Sequence, residues 1–168
     1  NNNNLKTIYL CNKTKNIPDY VIKNWKKLNP DYRIKLYDNN DCIKFLQTEY
    51  DNNFVELYNE IKDGAIKADF WRVCILYKYS GVYSDIDVEP ILPISSILDK
   101  NVDFMSCISH DKSGINPHFM FSKPNNKLLL KCINTFLGKK GTKYDYWEWS
   151  ICPNIKKNYK DLYGSIPQ

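Results

Sequence analysis

Residues 65–90, AIKADFWRVCILYKYSGVYSDIDVEP, constrain this chain more than any other stretch. Residues 65–79 contain no Gly or Pro and place Ile66, Phe70, Val73, Cys74 and Tyr77 at helical spacing. That pattern predicts one long helix with a buried apolar stripe. Ser80-Gly81 ends it, because glycine tolerates the left-handed conformation that closes a helix. Gly81-Val82-Tyr83-Ser84 then suits a short strand and leaves Asp85-Ile86-Asp87 at its carboxyl end. In an open α/β sheet, ligands bind at that end.

The spacing carries chemistry. In extended chain, Asp85 and Asp87 point to one side. Two hard oxygen ligands so placed suit Mn²⁺ or Mg²⁺, ions that keep several waters and reach for phosphate oxygens. Asp69 and Arg72, three apart on the helix, are neighbours on its surface. If the turn folds that face back on the strand, a cation site, an Arg and an Asp converge on one cleft suited to a diphosphate. Taken alone, the bare D-x-D triplet is common and favours the plainer reading, a turn with two solvated carboxylates and an i,i+3 surface ion pair.

The whole stretch resembles a family. Ala65-x-x-Ala68-Asp69-x-x-Arg72, Leu76-Tyr77-x-Tyr79, Ser80-Gly81-Val82-Tyr83 and Asp85-Ile86-Asp87 are similar to the DXD sugar-binding region of family 32-type glycosyltransferases. That family includes yeast-type mannosyltransferases and capsular sugar transferases, with the clostridial glucosylating toxins more distant. The string from Trp25 through Asn29-Pro30-Asp31-Tyr32 to Tyr37-Asp38 resembles a second run of the family.

The resemblance implies a GT-A fold and a Rossmann-like, mostly parallel α/β sheet flanked by helices. It also implies Mn²⁺ (or Mg²⁺) and retaining transfer of a sugar from a UDP- or GDP-sugar to a glycan or protein acceptor. Asp69, Arg72, Asp85 and Asp87 would be its catalytic set, with Asp85 and Asp87 on the metal. Asp69 and Arg72 would touch donor sugar and phosphate, Tyr83 would share that pocket, and Ala68 and Ile86 would lie beside them. Asp85 would hold the ribose or a metal-bound water. Cys11 and Asn12 would meet the base through main chain. Two positions depart from the pattern: Ser80-Gly81 replaces the usual Gly-Gly, and Asn12 stands where relatives carry a Trp near the base.

Length and composition set the frame. A chain of 168 residues suits one domain, residues 1–168, with a real core. Hydrophobic residues at 43% and aromatics at 14% argue against disorder. A net charge of +5 suits a small polyanion and is too dispersed to point to nucleic acid. The six cysteines form no C-x-x-C pair and mostly sit in apolar runs, where Cys acts as a small hydrophobe. A zinc site is not expected, and a reducing compartment is the simpler expectation. No signal peptide or membrane span is recognisable, so no membrane segment is expected in this stretch. The opening Asn1 to Asn4, without an initiator Met, reads as a chain trimmed from a longer protein, which leaves room for a Golgi-type anchor elsewhere.

Taken in order, residues 6–11 read as a buried strand, 12–16 as its loop, 18–28 as an amphipathic helix with Pro in its first turn, and 32–37 as a second strand. Strand, helix, strand opens a nucleotide-binding half. Helices are expected over 42–49, 52–61, 94–98 and 125–137, and strands over 103–108 and 118–122. Between those strands lies a polar loop in which His110, Asp111 and Asn116 are candidates for donor sugar or acceptor. His118 reads as structural. The aromatic run around Trp147 and Trp149 suits core packing or an acceptor platform, and Ser150 to Pro153 takes the place of a Gly-Pro-type turn of the family.

Two other readings are kept. A phosphatase of the haloacid-dehalogenase type also uses a strand-end D-x-D, but on its first strand, whereas two strand candidates precede this one. The polar residues that complete the metal and phosphate site in many relatives are not recognisable before Gln168. A domain that binds a nucleotide sugar or a partner without turnover therefore stays in view.

Overall fold

The computed structural model describes residues 4–99 and 101–166. The two chain ends, on which the expectation of a trimmed chain rests, lie largely outside them. Thr7–Cys11 (β1) is buried on both faces, as an apolar run between two helical layers must be. Ile8 and Leu10 point into one core and Tyr9 into the other. Asp19–Leu28 (α1) crosses back, and Arg33–Tyr37 (β2) pairs parallel with β1. Asn39–Glu49 (α2) starts three residues before its expected position. Asp38 and Asp41 form a reciprocal capping box there, which satisfies the free amides of the first turn. Asn52–Glu60 (α3) leads into Gly64–Tyr79 (α4), and Gly81–Ser84 (β3) pairs parallel with β1.

The second half reverses direction. After Ile94–Ile97 (α5), Phe104–Ile108 (β4) and Ile115–Ser122 (β5) pair antiparallel with each other, and β5 pairs antiparallel with β3. The sheet order is β2-β1-β3-β5-β4. The sheet is thus mixed, parallel on one side of β3 and antiparallel on the other, where a mostly parallel one was expected. Only the first half is built from strand–helix–strand crossovers, and a short return such as that from β4 to β5 joins antiparallel neighbours. Lys127–Leu137 (α6), Tyr146–Trp149 (α7) and Ile151–Tyr163 (α8) complete the chain.

Helices cover both faces. α1 lies on the Ile8 face, where Trp25 stacks on Phe119 at 6.2 Å and 7°. The larger core, on the Tyr9 face, takes α2, α3, α4, α6 and α8. The expected single apolar stripe of α4 gives way to burial on every side: Ile66, Phe70, Trp71, Val73, Cys74, Ile75 and Leu76 are all buried, together with Asp69 and Arg72. A helix enclosed on all sides is a core helix. Two charged residues inside it require partners.

Candidate active site

The α4–β3 turn brings those partners into reach. Ser80 sits at φ 61°, ψ 176° and Gly81 at φ 109°. A Cβ on Gly81 would lie 2.7 Å from the carbonyl oxygens of Asn4 and Thr7, so only glycine lets β3 enter the sheet here. Ser80 occupies a region that is essentially glycine's own. That is the physical meaning of the missing first glycine: the chain holds a strained serine, with its hydroxyl on the Tyr79 carbonyl.

The turn folds α4 back beside β3 and sets Arg72 against it. Arg72 is 5% exposed. Its Nη2 meets Asp69 Oδ1 at 2.8 Å and Asp85 Oδ1 at 3.2 Å. Its Nη1 donates to the Pro117 carbonyl at 2.7 Å and its Nε to that of Ala68 at 3.3 Å. The guanidinium also lies 4.4 Å from the centre of the Tyr83 ring. Tyr83 Oη donates to Asp85 Oδ1 at 2.7 Å and stands 3.7 Å from Cys11 Sγ. Asp69 Oδ2 accepts from the amide of Ile151 at 3.0 Å and so satisfies the first turn of α8 from outside, where Ser150 makes no side-chain cap. The pair is therefore no surface ion pair. It joins three segments, α4, the end of β3 and the start of α8.

Burial is the leading electrostatic effect in this cluster. It works against the charge of Arg72, yet Tyr83, Asp69 and Asp85 together hold that group above its ordinary value. Burial pushes the Asp69 carboxyl up, opposed by Arg72 and by the Ile151 amide. It likewise lifts the Tyr83 phenol, and it raises the Cys11 thiol to about 11, so both stay neutral at physiological pH.

Asp85 stands at the carboxyl end of β3, with its amide on the His118 carbonyl at 2.9 Å. Because β5 runs antiparallel, its amino end reaches the same edge, as the pairing of Ser84 with Phe119 shows. Two basins open at this edge and share Ala65. One, of about 470 Å³, is lined by Cys11, Asn12, Asn39, Ala68 and Trp71, with Lys13, Lys62 and Lys67 also on its wall. The other, of about 530 Å³, is lined by Asp69, Arg72, Asp85 and Asn116, with His118 and Trp147 also on its wall. Cys11, Asn12, Ala68, Asp69, Arg72, Asp85 and Asn116 thus line adjoining basins, and Tyr83 lies beneath them.

Ile86 and Asp87 lie elsewhere. The strand stops at Ser84, and the Val88 amide donates to the Asp85 carbonyl at 3.3 Å, closing a turn. The two-residue alternation invoked for Asp85 and Asp87 therefore does not apply. Asp87 is exposed and lines a cleft of about 110 Å³ with Ile86, Tyr20, Asn24 and Glu89, on the α1 side.

His110 and Asp111 stay outside the basins. Asp111 is held in its own loop by Ser109 and Ser113, and the Ser109 hydroxyl keeps its carboxyl well below the usual range. Trp149 is a core residue at 1% exposure, whereas Trp147 is 75% exposed. His118, read as structural, lines the second basin, and its Nδ1 is buried without a hydrogen-bond partner. The contacts of the Pro117 carbonyl and the Ile151 amide are main-chain ones that no side-chain pattern announces.

Among the described residues no three His, Cys, Asp or Glu gather to hold a metal ion. The donor set nevertheless suits a divalent ion that also takes phosphate oxygens, since such ions need only one or two protein carboxylates. Both contacts to the Asp85 carboxylate, from Arg72 and Tyr83, fall on Oδ1.

Known proteins resemble this chain in sequence and in fold. A family model described as "Glycosyltransferase sugar-binding region containing DXD motif" matches residues 18–104, more than half of the chain. A mannosyl phosphorylinositol ceramide synthase of Saccharomyces cerevisiae is 28% identical over 139 residues, 77% of this chain and 34% of its own. The inositol phosphoceramide mannosyltransferase 3 of Schizosaccharomyces pombe is 35% identical over 86 residues, 49% of this chain and 24% of its own. An uncharacterized glycosyltransferase of Acanthamoeba polyphaga mimivirus is 35% identical over 66 residues, 39% of this chain and 26% of its own. The chain thus spans about a quarter to a third of the length of these relatives. The solved structure of PaToxG glycosyltransferase is similar in fold, with a TM-score of 0.74 at 18% identity, covering 95% of this chain and 69% of that one. The fold is of GT-A type, and the chain belongs to the glycosyltransferase family whose sugar-binding region contains the DXD motif.

Proposed function

We propose that this chain binds a nucleotide diphosphate sugar in the presence of Mn²⁺ or Mg²⁺ and transfers the sugar to an acceptor with retention. One observation carries the reading: a buried Arg72 holds Asp85 at the carboxyl end of β3, where two basins adjoin. The nucleoside belongs in the basin of Cys11 and Asn12, whose three lysines favour a polyanion. The sugar and the acceptor belong in the basin of Asp69, Arg72, Asp85 and Asn116.

The local charge explains the need for a cation. Arg72 faces the carboxylates of both Asp69 and Asp85, so the acidic groups outnumber the guanidinium. A diphosphate approaching them alone is repelled. Asp85 and Asp87 are the residues that would hold the metal, which would supply Lewis-acid neutralisation of the leaving diphosphate. The chain's own contribution is orientation. Arg72 and Tyr83 fix Asp85 before the donor arrives, so no reorganisation is needed at the moment of reaction. The acceptor hydroxyl can pass its proton to the departing phosphate oxygen, so no side-chain base is required.

Because relatives are named for mannosyl transfer, a mannose donor is the first to try. Thermal shift with UDP, GDP and their sugars, with and without Mn²⁺, tests the reading. The expected result is a metal-dependent rise that Asp85→Asn reduces. No shift with any nucleotide would overturn it, and binding without transfer or donor hydrolysis would leave the binding-module reading.

A further inference from the structure

We infer that the α7 wall of the second basin is the acceptor subsite, and that it takes a pyranoside whose C–H face lies on the indole of Trp147. The inference rests on the glycosyltransferase reading and adds to it the chemical class of the acceptor.

The argument begins with an indole in the wrong place for a core residue. Trp25, Trp71 and Trp149 are 2%, 0% and 1% exposed, whereas Trp147 is 75% exposed and lines the basin of Arg72 and Asp85. The sequence gives it no freedom to retreat. Trp149 is buried against Tyr144 at 5.1 Å, and on so short a helix it fixes the direction of its neighbours. Asp145 caps the turn through the Glu148 amide at 2.9 Å, and Ser150 Oγ donates to the Trp147 carbonyl at 3.0 Å. Tyr146 braces the indole edge-on, with ring centres 5.0 Å apart at 85°. The outcome is a flat apolar face held beside a cleft.

What lies on such a face must be amphipathic, since the basin wall sets polar side chains, among them Asp85, Asn116 and Glu148, beside apolar ones. Asn116 and Glu148 are exposed on its wall, and His118 Nδ1 is a buried nitrogen without a partner among the described residues. An alkyl chain would cover Trp147 but leave these groups unmatched, which penalises it. A sugar ring offers both surfaces: C–H groups for the indole and hydroxyls at its edge for the Asn116 amide and the Glu148 carboxylate. The cleft volume of about 530 Å³ lies in the range of small-ligand sites. A hydroxyl of a ring stacked there shares the cleft with Asp85, while the nucleoside occupies the other basin.

Iodide quenching of tryptophan fluorescence provides the test, because Trp147 alone among the four tryptophans is open to solvent. Methyl α-D-mannopyranoside, added to the wild-type protein with GDP or UDP and Mn²⁺, should remove about half of the quenching at a concentration equal to its dissociation constant. Trp147→Phe should abolish the quenchable signal and so identify its source. Trp147→Ala should weaken glycoside binding, followed by saturation-transfer NMR, by about tenfold while nucleotide affinity stays within about twofold. If nucleotide binds but the glycoside leaves Trp147 open to iodide, the acceptor assignment falls and the donor reading stands. Shielding by nucleotide alone would reassign Trp147 to the donor and overturn the inference. Failure of every nucleotide to bind the wild-type protein would remove the donor reading and the acceptor subsite with it.

Discussion

The two carboxylates of the D-x-D triplet stand in opposite situations. Asp85 receives a hydroxyl from Tyr83 and a guanidinium from Arg72, and its amide is tied to β5. Asp87, two residues on, is exposed on a turn and has no ion pair or side-chain hydrogen bond among the described residues. One is fixed by the fold before any ligand arrives; the other is left for a ligand to fix. Stability and ligand binding should therefore separate along the triplet, with large losses of stability behind Asp85 and almost none at Asp87.

The largest expected losses lie in the clamp. Arg72→Ala leaves Asp69 buried without its counterion, and removing one partner of a buried pair costs about 3–5 kcal/mol. Gly81→Ala should be of similar severity, since its Cβ would meet two carbonyl oxygens at 2.7 Å and the new residue would be held at φ 109°. Urea denaturation measures both. A loss under about 1 kcal/mol for Arg72→Ala is what an exposed pair would give, and it would erase the contrast with Asp87.

A pH series sharpens the same side. Burial lifts the folded pKa of Asp69 above its ordinary value of 3.8, so the native state holds a proton over a window in which the unfolded chain has released it. In that window stability falls as pH rises, because the unfolded state binds fewer protons. Asp69→Asn does not titrate. Its stability relative to wild type should therefore improve from below pH 3.8 up through the raised value and then level off. Chemical denaturation at a series of acidic to neutral pH values would show it, and the opposite slope would mean that Arg72 and the Ile151 amide outweigh burial.

How much of this was legible follows from where the information sits. The first three strands, α1, α4 and the α4–β3 turn were readable because periodicity and glycine placement are local signals. The gathering of Asp69, Arg72, Tyr83 and Asp85 was legible in the motif, since helix, turn and strand are contiguous. The burial of α4 on all sides was not legible, because it depends on α6 and α8, which arrive much later in the chain. The helix over Ile151–Tyr163 was not anticipated at all, as Pro153 suggests a turn until one sees it in the first turn of a helix, where proline is tolerated. The reach of Asp87 toward α1 was missed for a different reason. Alternation holds only while the strand lasts, and this strand ends at Ser84.

A smaller effect of opposite sign is expected at the turn behind Asp85. Ser80 is held in backbone space that costs a non-glycine residue of order 1–3 kcal/mol, partly offset by its hydroxyl contact and by the greater freedom of glycine in the unfolded chain. Ser80→Gly should stabilise the protein by about 1 kcal/mol, read as a higher denaturation midpoint at unchanged slope. A loss of stability would show that the Ser80 hydroxyl outweighs the strain.

The smallest effect on stability belongs to Asp87→Asn. The carboxylate is exposed and holds no partner among the described residues, so neutralising it should move stability by less than about 0.5 kcal/mol. The same change should remove metal-dependent nucleotide binding if Asp87 is a metal ligand, because an amide cannot replace the charge that attracts a divalent ion to this strand end. Calorimetry with nucleotide, with and without Mn²⁺, measures the second quantity on protein whose folding has been checked by the first. Asp85→Asn is its counterpart: it should weaken binding and also lower stability, because it removes the charge that faces Arg72 and strengthens the bond from the Tyr83 hydroxyl. If Asp87→Asn keeps full Mn²⁺-dependent affinity, the exposed carboxylate is a surface group of the α1-side cleft, and any metal is held through Asp85 alone. If it destabilises the fold as Asp85→Asn does, the two aspartates are not opposites, and the division between a fixed and a free carboxylate fails.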